Sequence, residues 1–385
     1  MNLFFYLTNA ATVLFIAVFF SITPALNRKS LLFGVRVPEA AAYLPECGRL
    51  KRGYLVIIAV GCLIILAASS IQYLLAPGYT LLGLMYFPLF MAGVQLAAFI
   101  PQWKKAKDLK AERGWNVPLI GLSETSSAAV RERFFNMRWG WYIASLVLSL
   151  VLALWSAIVY PSVPNRLIMH WNAQMQPDRW GNKNWVNVMT MPLIALAFIL
   201  LMAVCNMMVY RQKLQVSAEY PALSFAQHKI YRRMMGRSLG FMTFCLTLMF
   251  AFMQPSMLNL FTPTASYIPL VIAISSIVGI IPVIYVPIRA GQSGCRLKPA
   301  MACGDAGAAK TAAVVPGAAS NPGDDQFWKL GMFYYNPDDP SILVEDRFGI
   351  NIGFNYAKLP LKIFIIVMAL LLIAVYIPVT VFLLN

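Results

Sequence analysis

The chain has 385 residues, 59% of them hydrophobic and 12% charged, with a mean hydropathy of +0.66. Soluble domains average about 45–50% apolar and about 25% charged residues, so a water-soluble globule is excluded and a polytopic membrane protein is implied. The formal charge of +16, from 31 Lys and Arg against 15 Asp and Glu, would suggest nucleic acid in a soluble protein. Here its placement along the chain explains it better.

Eight apolar runs long enough to cross a bilayer follow in chain order: Leu3–Ile22, Gly53–Leu75, Thr80–Ile100, Trp139–Tyr160, Val188–Tyr210, Leu239–Leu260, Tyr267–Ile288 and Ile363–Leu384. Each has about 20 residues, which at 1.5 Å per residue matches a hydrocarbon core of about 30 Å. None contains Asp, Glu, Lys, Arg or His. Backbone groups in lipid must be paired within the segment, so these runs are helices. The predicted class is an all-α polytopic membrane protein with about eight transmembrane helices and a small β-rich cytoplasmic module between the last two. Only Met1 and Asn2 precede the first run. It lacks the basic leader of a secretory signal and reads as a retained span with its amino terminus outside.

Basic residues set the predicted orientation. Segments 23–52, 101–138, 211–237 and 289–362 hold six, eight, six and eight Lys and Arg, which is 28 of the 31 on one set of alternating faces. The connection between the fourth and fifth runs holds only Arg166, Arg179 and Lys183. The positive-inside rule makes the basic face cytoplasmic and both termini external. Fourteen acids fall on the same side, leaving +14 inside and +2 outside. Cys62, Cys205 and Cys245 lie in runs, while Cys47, Cys295 and Cys303 lie in cytoplasmic segments, so no structural disulfide is expected.

Four pieces lie between the runs. The first, LLFGVRVPEAAAYLPECGRLKR from Leu31, contains Phe33, Gly34, Arg36, Pro38 and Glu39 and reads as a short connector. The second, Trp103–Arg113, carries five cations and suits either a topology determinant or an interfacial helix facing anionic lipid headgroups. The third, the external connection 161–187, is the densest polar cluster on its side, with His170, Asn172, Pro177, Asp178, Trp180 and Lys183. Two candidate ligands eight residues apart are a weak metal signal, and the loop has no second carboxylate for catalysis. A compact loop, or one that recognises an external partner, is expected instead. The fourth piece begins with a Gly-, Ala-, Ser- and Pro-rich linker, 290–325, and continues as a module, 326–360. In that module short aromatic and β-branched stretches alternate with turn residues, which predicts hairpins. By chain order the regions are 1–138 with three spans, 139–260 carrying the external loop, 261–289, the linker, the module and a last span over 361–385.

The patterned segments resemble a known family. IMHWNAQMQPDRWGNK is similar to the His-x-Asn…Pro-Asp-x-Trp…Lys signature of the membrane domain in SdpI-type immunity proteins, matched at His170, Asn172, Pro177, Asp178, Trp180 and Lys183. Met175 stands where that pattern usually has glycine. FGVRVPE, Phe33–Glu39, resembles a cytoplasmic motif of longer relatives. The stretch from Trp328, with Gly331, Tyr335, Asn336, Asp339, Pro340, Arg347 and Asn355, looks like a second uncharacterised module that accompanies it. The resemblance implies protection against a secreted membrane-active toxin and signalling through a sequestered transcriptional regulator.

Three function classes compete on the residues. A receptor or immunity-type protein would face an extracellular peptide with its loop and a cytoplasmic regulator with its inner segments. A transporter is supported by the number of spans and by Pro88, Pro282 and Pro287, but no ionisable residue marks an ion path. The amides Asn9, Gln72, Gln95, Asn206, Gln254 and Asn259 suit helix packing. An enzyme would need a constellation that is not visible, since His170 and His228 fall on opposite predicted faces. The expectation is a non-catalytic membrane receptor without metal, cofactor or nucleic acid, and a small-solute transporter or permease-like component is the alternative.

Overall fold

A computed structural model describes residues 2–115, 117, 119–122, 137–172, 176–217, 220–262, 267–299, 324–348 and 352–384. Seven of the predicted runs lie on helices long and apolar enough to cross a membrane. These are α1 (Asn2–Leu26), α2 (Pro45–Leu75), α3 (Thr80–Glu112), α4 (Gly140–Val159), α5 (Thr190–Arg211), α6 (Pro221–Met257) and α7 (Tyr267–Ala290). The eighth run lies on α8 (Leu359–Leu384), of which the stretch Leu359–Leu370 counts as a shorter apolar helix among the described residues. The protein is therefore a helical, multi-pass membrane protein. Outward apolar side chains such as Leu63, Ile64, Leu154 and Ile158, each more than 60% exposed, are what lipid-facing positions require.

Three helices extend well beyond their apolar runs. α2 starts at Pro45, whose missing N–H costs nothing in a first helical turn. α6 starts at Pro221, well before Leu239. α3 continues through Pro101 to Glu112, so the basic stretch Trp103–Arg113 is mostly the polar end of a spanning helix and not a separate interfacial one. Lys, Ala, Leu and Glu are good helix formers, and nothing in that stretch stops the helix before Gly114.

The chain divides into two compact units. The first comprises Met1–Ser123, Gln212–Ser224 and Ala300–Asn385, so the module after the linker belongs with the first three helices. In it α1, α2 and α3 pack on one another around a core that runs from Val13 and Ala17 to Phe99 and Ala106. Among the described residues five strand pairs, all antiparallel, decorate the fold. Four belong to the first unit: β1 (Leu31–Leu32) with β2 (Val35–Arg36), β3 (Leu119–Leu122) with β6 (Leu214–Ser217), β7 (Trp328–Lys329) with β8 (Phe333–Tyr334), and β9 (Leu343–Val344) with β10 (Gly353–Phe354). The predicted hairpin character of the module is present in β7–β10. Of the predicted linker only 290–299 and 324–325 fall within the described residues.

The second unit comprises Glu124–Arg211 and Phe225–Pro299. It holds α4, α5, α7, most of α6 and the fifth strand pair, β4 (Arg166–Trp171) with β5 (Pro177–Asn182). The predicted external connection is thus a β-hairpin between α4 and α5.

Candidate functional site

The β4–β5 hairpin is fixed at its base and open at its tip. Val163, Leu167, Val188 and Leu258 form a buried cluster beneath it, with Trp155, Tyr160 and Met169 packed alongside. Gln254 of α6 donates to Ser156 Oγ of α4 and to the Val188 carbonyl, both at 2.8 Å, so one amide ties both flanks of the hairpin to the bundle. Lys183 donates to the carbonyl of Val163 at 2.7 Å and lies 4.8 Å from the centre of the Tyr160 ring, which closes the loop across its base. Trp185 stacks on the same ring at 4.0 Å.

Toward the tip the register shifts between Ile168 and Trp171. A bulge re-aims the side chains that follow it, and here Ile168 is buried while His170, two residues on, is exposed. His170 Nδ1 meets Asp178 Oδ1 at 2.6 Å, the closest pairing among the predicted site residues, and both side chains are about half exposed. Asn172 Oδ1 accepts from the Gln176 N–H at 2.9 Å and its own N–H donates to the Gln176 carbonyl, so it closes the turn. Met175 lies outside the described residues. Pro177 starts β5, where a proline removes no ladder bond that the strand needs. All of β5 except Gly181 is exposed, including Trp180 at 45%. The tryptophan stacked on the end of α4 is Trp185, and Trp180 stays half free. A His–Asp pair of this kind can orient a hydrogen bond or a docking group. Among the described residues no group of three metal-ligating side chains occurs.

The second constellation lies within the first unit and joins pieces that are about 300 residues apart in sequence. Phe348 enters the aromatic cluster of Phe33, Tyr54 and Phe99, with ring centroids 4.4–6.0 Å away. Arg347, fully buried, donates to the Gly34 carbonyl at 3.0 Å, pairs with Asp325 and lies over the Trp328 ring at 4.7 Å. Asp325 also pairs with Lys110 of α3. Glu345, likewise buried, pairs with Arg28, and its Oε2 accepts from the Gln215 N–H at 2.9 Å. Lys213 pairs with Asp339 at 2.7 Å, and its backbone bonds to Leu343 and Glu345. Asp339 further accepts from Tyr334, while Asn355 donates to the carbonyls of Asn336 and Asp339. Tyr335 and Pro340 stay exposed beside this network.

Two turns dock face to face here. Phe33 and Gly34 both have positive φ, as do Leu330 and Gly331, which is the backbone that tight hairpin turns demand. A Cβ on Gly34 would lie 1.9 Å from the Gly331 carbonyl oxygen. Arg36 is buried beside this turn, and Pro38 and Glu39 lead into a short 3-10 helix. The connector reading of 31–52 missed this docking because its partners are far away in sequence. The only local signal was a glycine after a large apolar residue at each turn.

Burial opposes ionisation at Asp325, Asp339 and Asp346, with different outcomes. For Asp325 the Arg347 and Lys110 cations reverse the burial effect and hold the carboxyl below its usual range. For Asp339 the Lys213 ammonium and the donors of Ser341 and Tyr334 do the same. For Asp346 burial prevails and pushes it up to about 7, against the backbone N–H groups of Phe348 and Arg347 and with the Glu345 charge adding to the rise.

A domain of unknown function, DUF1648, matches residues 147–196. Those 50 residues cover most of α4, the whole hairpin and the start of α5, and so include all six hairpin residues singled out in the sequence. No curated protein and no solved structure matches the chain.

Proposed function

We propose that the protein is a non-catalytic membrane receptor of the SdpI-like immunity or signalling type. Its hairpin, Arg166–Asn182, recognises a membrane-active amphipathic peptide from outside the cell, and the docked junction around Arg347 presents a surface to a cytoplasmic regulator. One observation carries the reading: the hairpin is anchored by Gln254, Lys183 and Trp185, yet it leaves His170, Asp178, Trp180 and the edge of β5 exposed. An open strand edge with polar and aromatic side chains suits capture of an extended or amphipathic peptide. The matched domain spans this hairpin and gives it no activity. The positive-inside bias supports the orientation, with the hairpin outside and the module inside.

Deletion of the gene, challenge with membrane-active peptides and complementation test the proposal. Wild type should restore protection, whereas His170→Ala and Asp178→Ala should insert normally and protect poorly. Full protection by both variants would reduce the hairpin to a connector. Stoichiometric zinc in the purified protein, lost in both variants, would replace recognition with metal binding. A deletion phenotype confined to one solute would favour the transporter reading, which rests on the proline-bearing helices α3 and α7.

A further inference from the structure

A cavity of about 730 Å³ opens in the second unit, where α4 begins. Arg138 lines it from just before α4, and Arg233 and Arg237 line it from α6. The two α6 arginines are four residues apart and therefore project from one helix face. One turn further along α6 the helices touch. A Cβ on Gly240 would lie 3.0 Å from that of Trp141, and the Trp141 ring packs on Phe241 and Phe244 at 5.1 and 5.3 Å. Trp141 and the buried Met137 line the cavity as well.

We infer that this cavity is a binding site for the phosphate-bearing headgroup of an anionic phospholipid. Three arginines, one just before α4 and two on α6, line one space, and guanidinium forks match phosphate oxygens in pairs. α4 begins there with no side-chain cap, so the N–H groups of its first turn add to the positive field. The volume suits a headgroup, since small-molecule sites run to about 300–1,000 Å³.

Position selects the lipid over free phosphate. The cavity lies at the end of a spanning helix, beside Trp139 and Trp141, a residue type that favours the membrane interface. Below it on α4, Ile143 and Val147 expose apolar side chains along which acyl chains can lie. The site stands whether or not the hairpin recognises a peptide.

Native mass spectrometry of the full chain, titrated with phosphatidylglycerol and with phosphatidylcholine, tests it. Wild type should retain phosphatidylglycerol with a preference of about tenfold or more. The variant Arg138→Gln/Arg233→Gln/Arg237→Gln should lose that preference. Lys229→Gln/Arg289→Gln/Lys298→Gln, which removes the same charge elsewhere in the unit, should keep it. Equal loss in both variants means diffuse attraction to the bilayer and overturns the site. Displacement of the lipid by millimolar inorganic phosphate would assign it to a free oxyanion instead. If the triple variant fails to assemble, Arg237→Gln and the wild-type lipid ratio decide, and a wild type without preference refutes the inference.

Discussion

Replacing Gly34 with alanine tests the docking of the module on the first three helices. Gly34 has φ +77, where an L side chain costs about 1 kcal/mol. The added Cβ would meet the Gly331 carbonyl oxygen at 1.9 Å, against the 3.4 Å at which ordinary contact begins, so one backbone has to retreat by about 1.5 Å. Neither turn can give way alone, because Phe33 is held in the aromatic cluster and Gly331 lies against Trp103. The shift also breaks the bond from Arg347 to the Gly34 carbonyl, and a hydrogen bond to a buried charge is worth about 1.5–3 kcal/mol. The expected loss is about 3–5 kcal/mol, concentrated in residues 324–348. Hydrogen exchange in nanodiscs should show these amides losing protection while those of α2 and α5 keep theirs. Gly93→Ala is the matched control, since nothing lies within 4 Å of its added Cβ and alanine favours a helix interior by about 0.5–1 kcal/mol. Unchanged protection of 324–348 in Gly34→Ala would refute the docking.

The same segment should respond to pH through Asp346. Its folded pKa of about 7 lies above the ordinary 3.8, so its contribution is full at low pH and declines as pH rises toward 7. Module protection should therefore fall between pH 5 and pH 8, and Asp346→Asn should flatten that slope. Asp325 and Asp339 are shifted downward and act oppositely, losing their contribution only as pH falls below the usual carboxylate range. At the hairpin, Lys183→Met should loosen the base by about 1 kcal/mol, seen as faster exchange of the Val163–Leu167 amides with no change in α4. For orientation, an engineered cysteine at Asn172 should react with an impermeant reagent from outside and one at Lys107 should not. External labelling at Lys107 would invert the topology.

Membrane class and helix number were legible in the sequence because they depend on local composition. A bilayer makes each run of about 20 apolar residues a helix, and seven such helices lie among the described residues. The helix ends were read too tightly, since hydropathy stops at Ile100 while the backbone of α3 continues to Glu112. The external connection was legible as a polar motif and was read as a compact loop, not as the hairpin it forms, in which His170 and Asp178, eight residues apart, meet as a pair. Which tryptophan packs was not legible, because Trp185 stacks on Tyr160 across the base of the hairpin, a contact between residues 25 apart that no local pattern marks. The tertiary structure alone decided the rest. Gly34 and Gly331, Arg28 and Glu345, and Lys110 and Asp325 are separated by more than 200 residues, and no local pattern links them. Arg138 and Arg237, 99 residues apart, line one cavity near the point where Gly240 lies close to Trp141 of α4. Periodicity and charge bias are properties of neighbouring residues, whereas a buried ion pair or a cavity exists only once packing brings distant residues together and removes water from between them.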